Sequence, residues 1–387
     1  MRILGNPYLD FAARRALSAA LGDDAARADG RCRLPPEWLV LGVNNACDLA
    51  CKMCDVGLGD EATVFWANLI GDHPRNMSIE LLESILAQGK AFRPRPKVGF
   101  AFTEPLIHKG IVEMCARTVA SGYFASVTSN GTMLPRLADD LVDAGLDQLV
   151  ISVDGPEEVH DRIRGKAGSF AKLRDGIEKV HAAKARRRSR RPSIVLSFTI
   201  TDLNAGHVVS FLEAAAPLRP EKICISQTNF IDDAIASAHN ERFGGDLAVT
   251  RSNLGDMDPS RIDAGALAAE FERMDRWVEA HPRAPRIELT PRDRSAGLLA
   301  RYYHEPLAYV GGRRCTDPFR LVMIKTDGSV IPAHGRCFNY TVGNVGERSL
   351  PEIWNGDRFA SFRRTLVEAG GSLPACTRCC GVIGKPA

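Results

Sequence analysis

Cys47, Cys51 and Cys54 lie within eight residues of one another, directly after the apolar run Trp38–Val43. Thiolates this close together, in a loop that leaves a strand, can hold three corners of a cubane [4Fe–4S] cluster, whereas a structural cluster normally takes four cysteines. The segment offers no fourth ligand, so the remaining iron stays open to an exogenous chelator. A catalytic zinc keeps one position vacant by the same logic. A zinc ion held by these three thiolates and a distant residue is the competing reading.

Composition narrows the setting. The chain of 387 residues carries 50 Lys and Arg against 47 Asp and Glu, a net charge of +3, with 45% apolar and 25% charged residues. That balance belongs to a chain with a real core and excludes a disordered polymer, a collagen or a basic nucleic-acid coat. No run of about 18 apolar residues is present, so a membrane span is not expected. The N-terminus lacks the apolar stretch of a secretory signal, which predicts a cytoplasmic protein. In that reducing compartment the 11 cysteines are not a disulfide framework, and clustered ones point to metal or redox chemistry.

Beyond the trio the pattern alternates. Ser78 caps a predicted helix bearing Ile79, Leu82, Ile85 and Leu86, and Ile111, Val112, Cys115 and Val119 share one face of the next. Lys97–Phe102, Phe124–Thr128, Leu149–Val153, Ile194–Ile200 and Ile223–Ser226 read as strands after the first. Six short strands alternating with helices predict βαβ units and a parallel sheet, with functional residues at its carboxyl edge. Residues 228–262 read as a polar loop with Asp232, Asp233, His239 and Glu241, followed by a helix bearing Leu267, Phe271, Met274 and Val278. The run Lys184–Arg191 carries six positive charges in eight residues. A solvated loop at the amino edge of the sheet is expected of it, rather than an RNA site.

The cysteine spacing and its placement resemble the radical S-adenosylmethionine (SAM) superfamily. Thr103-Glu104-Pro105-Leu106 resembles that family's Gly-Gly-Glu-Pro motif, and Ser126–Thr132 (SVTSNGT) its third-strand TNG signature. Ile151–Gly155 and Arg162–Phe170 (RIRGKAGSF) resemble its fourth-strand ISxDG and the following RGxxGSF. The resemblance spans residues 38–230 and implies an α/β fold, a partial (βα)6 TIM-like barrel with a small C-terminal cysteine-rich iron–sulfur domain. It implies that Cys47, Cys51 and Cys54 ligate a [4Fe–4S] cluster whose open iron is chelated by the methionine amino and carboxylate groups of SAM. Glu104 would accept a charge-assisted hydrogen bond from that amino group. Ser152 and a basic residue, Arg164 or Lys166, would hold the carboxylate and ribose, with Ser129, Asn130 and Asp154 at neighbouring strand ends. Met53 stands where an aromatic residue is usual and would fill the space beside adenine. Phe102 and Thr103 replace paired glycines that let the backbone approach the methionine.

Cys315, Cys337, Cys376 and Cys379, separated by 22, 39 and 3 residues, form a second group. With the turn Thr326–Val330, Gly343-Asn344-Val345 and Leu350–Gly356, they resemble the SPASM/twitch extension of radical SAM enzymes. A full SPASM domain needs more thiols than the five available here, and Ala333-His334 stand where a cysteine is usual. The resemblance therefore implies one auxiliary [4Fe–4S] cluster, with four-cysteine zinc as the alternative. Cys380 is a spare thiol or an alternative to Cys379, and His334 is an outside candidate. The expected layout is an extension over 1–37, a barrel over 38–230, linking elements over 231–309 and an auxiliary-cluster domain over 310–387.

The resemblance implies reductive cleavage of SAM to methionine and a 5′-deoxyadenosyl radical, which removes a hydrogen atom from a substrate in the barrel mouth. Four cysteine ligands would close the auxiliary cluster to substrate and suit it to relaying an electron. Two-electron oxidation of a small polar metabolite, such as a sugar, cyclitol or amine, is the expected reaction, with flavodoxin or ferredoxin as electron donor. No residue is singled out as general base. One alternative is a radical epimerase with a thiol hydrogen donor. Cys224 is a candidate for that donor, although a core place between Ile223 and Ile225 is expected of it. Another is radical modification of a ribosomally made peptide, disfavoured because only 37 residues precede the first strand, too few for a fused leader-recognition domain. A non-catalytic iron–sulfur carrier would have no use for the Glu104 and Ser152 motifs. Neither a membrane nor nucleic acid is an expected partner.

Overall fold

The structure, a computed structural model, describes residues 29–71, 74–310, 314–379 and 382. Its strands are β1 (Trp38–Leu41), β2 (Lys97–Phe100), β3 (Ala125–Ser129), β4 (Gln148–Ser152), β5 (Ser193–Ile200), β6 (Lys222–Gln227), β7 (Arg286–Thr290), β8 (Leu321–Ile324), β9 (Ser329–Ile331) and β10 (Gly343–Asn344). They form one sheet in the order β10-β9-β8-β1-β2-β3-β4-β5-β6-β7. Every neighbouring pair from β8 through β1 to β7 is parallel. β9 and β10 add antiparallel at one edge.

The six expected strands are present, and three features differ from expectation. β7 continues the parallel series beyond β6; its residues are half-buried or exposed throughout, so it carries no apolar alternation to read. The C-terminal segment builds no sheet of its own. β8 lies beside β1 with Trp38 opposite Leu321 and Leu41 opposite Ile324, so the second cysteine group grows from the same sheet as the first. Residues 228–262 contain the helix Asp233–Phe243, started by Asp232, whose carboxylate accepts from the Ile235 N–H at 2.8 Å. His239 on that helix is fully buried between Phe243 and Phe338. Only Ile235 and His239 of this helix are buried, and so sparse an apolar face gives a weak helical signal.

β5 shows how the two faces of the sheet divide. Ile194, Leu196, Phe198 and Ile200 are buried, with Phe198 stacked at 4.3 Å on Phe211 of the helix Val208–Ala215, while Ser193, Ser197 and Thr199 point the other way. β6 repeats the division, with Ile223, Ile225 and Gln227 buried and Lys222, Cys224 and Ser226 half-buried on the inner side. A parallel sheet covered on both faces reads as continuously apolar. This one keeps its inner face polar, as a ligand-binding lumen requires.

The basic run closes the helix Ser169–Arg186 and the loop after it. Arg186 and Arg187 pair with Asp139 at 2.6 and 2.7 Å, Arg191 with Asp147 at 2.8 Å, and Lys184 with Glu221 at 3.0 Å. Its charges are largely answered within the fold. Residues 29–37 meet the C-terminal segment, where Trp354 Nε1 donates to the Leu34 carbonyl at 3.0 Å. No described helix is long and apolar enough to cross a membrane.

Helix Ser169–Arg186 packs on helix Leu134–Asp143 at Gly176, where a Cβ would lie 2.3 Å from Leu134 Cβ. Alanine is the better helix former by about 1 kcal/mol, but overpacking a tight contact costs about 1–3 kcal/mol. Gly176→Ala is therefore expected to lower the urea midpoint of unfolding. An unchanged or raised midpoint would contradict the close approach of these helices.

Candidate active site at the carboxyl edge of the sheet

The loop from β1 to the short helix Asp55–Leu58 brings the cysteine trio to the carboxyl edge. Asn130 anchors it. Its backbone N–H donates to Glu104 Oε2 at 2.6 Å, and its side-chain amide donates to Asp48 Oδ1 at 2.8 Å. The Thr132 hydroxyl donates to Asp48 Oδ2 at 2.8 Å, and Lys166 Nζ donates to the Asp48 carbonyl at 3.0 Å. Burial works to raise the Asp48 carboxyl, but the bonds from Asn130 and Thr132 and the Lys166 charge outweigh it and hold it below the usual carboxylate range. At the far end of the loop Cys54 caps the helix, its sulfur accepting from the Gly57 N–H at 3.5 Å. Asp55, buried, accepts from Ser252 Oγ at 2.5 Å and the Asn253 N–H at 2.8 Å. Gly165, at φ +66°, lets the segment after β4 touch the loop; a Cβ there would lie 2.5 Å from the Ala50 carbonyl oxygen.

Cys47 is the exposed thiol of the trio and Cys51 the buried one. Arg164 Nη1 donates to Cys51 Sγ at 3.7 Å, and the same guanidinium pairs with the buried Asp154 carboxylate. Arg164 and Asp154, expected to face the cofactor, are thus locked to each other against a cysteine. Burial pushes the Cys51 thiol up to about 11 in spite of Arg164. Thiols so placed become thiolates when a cationic centre binds them, and the donor set fits an iron–sulfur cluster. Among the described residues no three His, Cys, Asp or Glu side chains converge on one ion. A cubane, which gives each sulfur its own iron, does not require that convergence.

Glu104 is 1% exposed. Its Oε1 accepts from Ser129 Oγ at 2.8 Å and from the Leu106 N–H at 3.0 Å, in addition to the Asn130 bond on Oε2. Burial pushes its carboxyl up to about 7 against those three donors. A carboxylate has about four lone-pair sites, so one remains for an ammonium donor. Thr103 departs from expectation, because its hydroxyl donates to Asn44 Oδ1 at 2.6 Å and leaves only the backbone to face a ligand. Phe102 adopts φ +88°, the left-handed region that favours glycine, so the backbone shape of the expected glycine persists under a phenylalanine. Strain of this kind costs roughly 1–3 kcal/mol. The ring covers Gly42, where a Cβ would sit 2.9 Å from Phe102 Cδ2.

Ser152 ends β4 half-buried, with no side-chain partner among the described residues. Met53 is buried in a small apolar cluster with Leu49, Cys51, Val159, Ile163 and Met257. Sequence reasoning missed Asp48, Thr132 and Asp55 as functional positions. Asp48 and Asp55 stand beside Cys47 and Cys54 of the trio and Thr132 closes the SVTSNGT turn, so adjacency to the motifs was the available signal.

In the second group, Cys337, Cys376 and Cys379 line one small cavity together with Asn229, His334 and Arg336. Cys315 lies close enough to Cys376 and Cys379 to feel their charge. Burial pushes Cys376 up to about 11 and Cys315 well above its ordinary value, so this site also fits a cationic cluster. Cys380 lies outside the described residues. The segment 334–338 fills the space between the two groups. His334 stacks on Phe65 with centroids 5.9 Å apart and meets the edge of Phe102 at 6.5 Å. Asn68 donates to the Gly335 and Phe338 carbonyls at 2.6 and 3.0 Å.

On the inner face, strand register places Ser152, Ser197, Cys224 and Glu288 in one row and Thr199, Ser226 and Thr290 in another. Cys224 is therefore not the expected core residue. Alternation along β6 sends Ile223 and Ile225 to the opposite face and leaves the Cys224 thiol half-buried, 4.0 Å from Glu288 Oε2. Glu288 pairs with Lys222 at 2.9 Å.

A family model described as the radical SAM superfamily matches residues 42–214, and one described as an iron–sulfur cluster-binding domain, SPASM, matches residues 315–380. A GTP 3',8-cyclase of Pseudomonas putida (strain W619) is 30% identical over 149 residues, 38% of this chain and 42% of that protein. The chain thus spans less than half the length of that relative. A PqqA peptide cyclase of Xanthomonas campestris pv. campestris (strain 8004) is 25% identical over 341 residues, 86% of this chain and 77% of that protein. The crystal structure of Streptococcus suis SuiB bound to S-adenosylmethionine superposes with a TM-score of 0.61 at 13% identity, covering 95% of this chain and 75% of that one. At that identity the likeness establishes the fold.

Glu104 ionises near 4.5 in an unfolded chain and near about 7 in the fold. Between those values the unfolded chain has released the proton that the fold retains. This group's contribution to stability therefore falls as pH rises through that window, by up to roughly 3 kcal/mol. In cluster-free protein, Glu104→Gln is expected to flatten that fall in a denaturation series from pH 4.5 to 7. Equal slopes for the two proteins would contradict the buried-carboxyl account.

Proposed function

Because the chain belongs to the radical SAM superfamily and carries a SPASM iron–sulfur domain, we propose that it oxidises a small polar metabolite, such as a sugar, cyclitol or amine, by two electrons. Membership brings with it a SAM-binding [4Fe–4S] cluster, SAM and auxiliary iron–sulfur chemistry. When bound, the first cluster and SAM supply one-electron cleavage of the sulfonium, and with it a 5′-deoxyadenosyl radical able to take a hydrogen atom from carbon. The auxiliary centre supplies an acceptor for the second electron.

The chain's own residues divide the remaining work. Cys47, Cys51 and Cys54 hold the first cluster, and Cys315, Cys337, Cys376 and Cys379 hold the second. Glu104 takes the SAM ammonium on its remaining lone pair, oriented by Ser129 and Asn130. The Ser152 hydroxyl meets the carboxylate or ribose, with Lys166, held on Asp48, as the nearby cation. Thr103 contributes backbone, and Met53 contributes apolar surface. Asp154 fixes Arg164, and Arg164 fixes the Cys51 sulfur. An external one-electron donor such as flavodoxin or ferredoxin completes the cycle.

The observation that carries the substrate class is the polar inner face. Two rows of hydroxyls, with Cys224 and with Glu288 paired to both Lys222 and Arg286, suit a ligand rich in hydroxyl or amine groups. A purely apolar ligand would leave those groups unpaired. The placement of Cys224 favours a second reading, radical epimerisation, in which its thiol returns a hydrogen atom to the opposite face of the substrate radical. Peptide modification is a further alternative, since one relative is named a PqqA peptide cyclase.

Reconstituted protein is expected to hold about eight irons, two cubanes' worth, and to form 5′-deoxyadenosine when reduced with SAM. Four irons would remove the auxiliary cluster. Cys51→Ala is expected to abolish cleavage, whereas Cys376→Ala cleaves SAM without forming product. Full turnover by Cys376→Ala would refute the electron-acceptor role. In deuterium oxide an oxidase yields a product two mass units lighter than substrate. Solvent deuterium on recovered substrate carbon, lost in Cys224→Ala, would instead establish epimerisation.

A further inference from the structure

Arg336 stands between the two cysteine groups and belongs to neither ligand set. It immediately precedes Cys337 and lines the same cavity as Cys337, Cys376 and Cys379. Its guanidinium lies over the ring of Phe65 at 5.3 Å, and Phe65 belongs to the helix Val64–Leu69 that follows the cysteine trio. Nη1 donates to Asn229 Oδ1. Asn229 in turn accepts from Asn253 Nδ2, at 3.1 Å on its carbonyl and 3.3 Å on its side-chain oxygen. The Asn253 N–H is spent on Asp55, the residue after Cys54. A chain of hydrogen bonds thus runs from the edge of one cysteine group to the edge of the other, with Arg336 as its charged member.

The bonding of Arg336 is incomplete in a telling way. Its Nε is buried without a hydrogen-bond partner, and no carboxylate pairs with it among the described residues. Arg336 as a whole is half-buried, but a guanidinium with its Nε taken out of water normally finds an anion, because desolvated charge is costly without one. Burial keeps the neighbouring His334 neutral, its imidazole pushed down to about 3, so Arg336 is the cation of this segment.

We propose that Arg336 is a positioning residue whose fixed charge raises the reduction potential of the auxiliary cluster. The inference rests on the two-cluster reading above. In that oxidation a substrate radical loses one proton and one electron to become a carbonyl or imine, and the electron reduces the auxiliary centre. Each cluster core with its thiolates is anionic and gains negative charge on reduction. A cation held against it therefore favours the reduced form. Arg336 also reaches toward the trio through Phe65 and the Asn229–Asn253–Asp55 chain, and its charge acts on Cys54 as well as on Cys337.

The test is a redox titration of reconstituted full-length protein, followed by electron paramagnetic resonance, on wild type, Arg336→Gln and Arg336→Lys with iron content measured in each. Arg336→Gln is expected to lower the reduced-to-oxidised ratio of the auxiliary cluster at a fixed potential by roughly tenfold, a downward shift of about 59 mV for a one-electron centre. The first cluster is expected to shift in the same direction. Arg336→Lys keeps the charge and is expected to recover most of the shift. Two fully loaded clusters with unmoved potentials in Arg336→Gln would overturn the proposal. A raised KM with unmoved potentials would do the same and make Arg336 a substrate anchor. Wild-type protein holding a single cluster would instead refute the two-cluster reading, and the proposal would fall with it.

Discussion

Asn130 joins the buried Glu104 carboxylate to the half-buried Asp48 carboxylate, and the site depends on that junction. Glu104 arrives from β2 and Asp48 from the cysteine loop, and one asparagine satisfies both, the first through its main chain and the second through its side chain. A buried carboxylate such as Glu104 left unpaired would be expensive, and the Asp48 bonds tie the cysteine loop to the same asparagine, so the loop is held to one position relative to the sheet edge. Ser129 and Thr132, on either side of Asn130, add a second bond to each acid. The trio of thiols is thereby presented by a loop that would otherwise have little reason to hold a single shape.

The same sheet sets the distance to the second cysteine group. Because β8 continues the parallel ladder beside β1, the chain that returns for its C-terminal cysteines leaves the sheet at the edge where the first loop begins. The segment 334–338 then lies against the helix Val64–Leu69 through Asn68, Phe65 and His334. A separate small domain on a tether would not fix this spacing. The placement of the two cysteine groups relative to each other thus comes from sheet register and a few buried side chains.

Much of this was legible in the sequence. The three-then-two cysteine spacing, Glu104 before Pro105, the SVTSNGT turn and the Ser152–Asp154 strand end each carry chemistry that tolerates few substitutes, so they announce themselves. The strands β1 to β6 were readable because one face of each is apolar. β7 was not, since a half-buried edge strand needs no apolar alternation. The helix Asp233–Phe243 was hidden because it buries only Ile235 and His239. Cys224 was misplaced for a related reason: its neighbours Ile223 and Ile225 suggest a core, yet period-two alternation puts a residue between two core positions on the other face. For Thr103 and Arg164 the structure adds intraprotein partners that no motif announces, Asn44 for the first and Asp154 and Cys51 for the second, because a motif gives a residue's place and not what its side chain bonds to.

The central claim is that the trio leaves one iron of a cubane for SAM. The most direct measurement is pulsed electron paramagnetic resonance of the reduced cluster with SAM labelled by ¹⁵N at its amino group and ¹³C at its carboxylate. The account predicts hyperfine coupling of both labels to the cluster spin. Bound SAM with neither label coupled, or a cluster whose fourth iron carries a protein ligand, would contradict it.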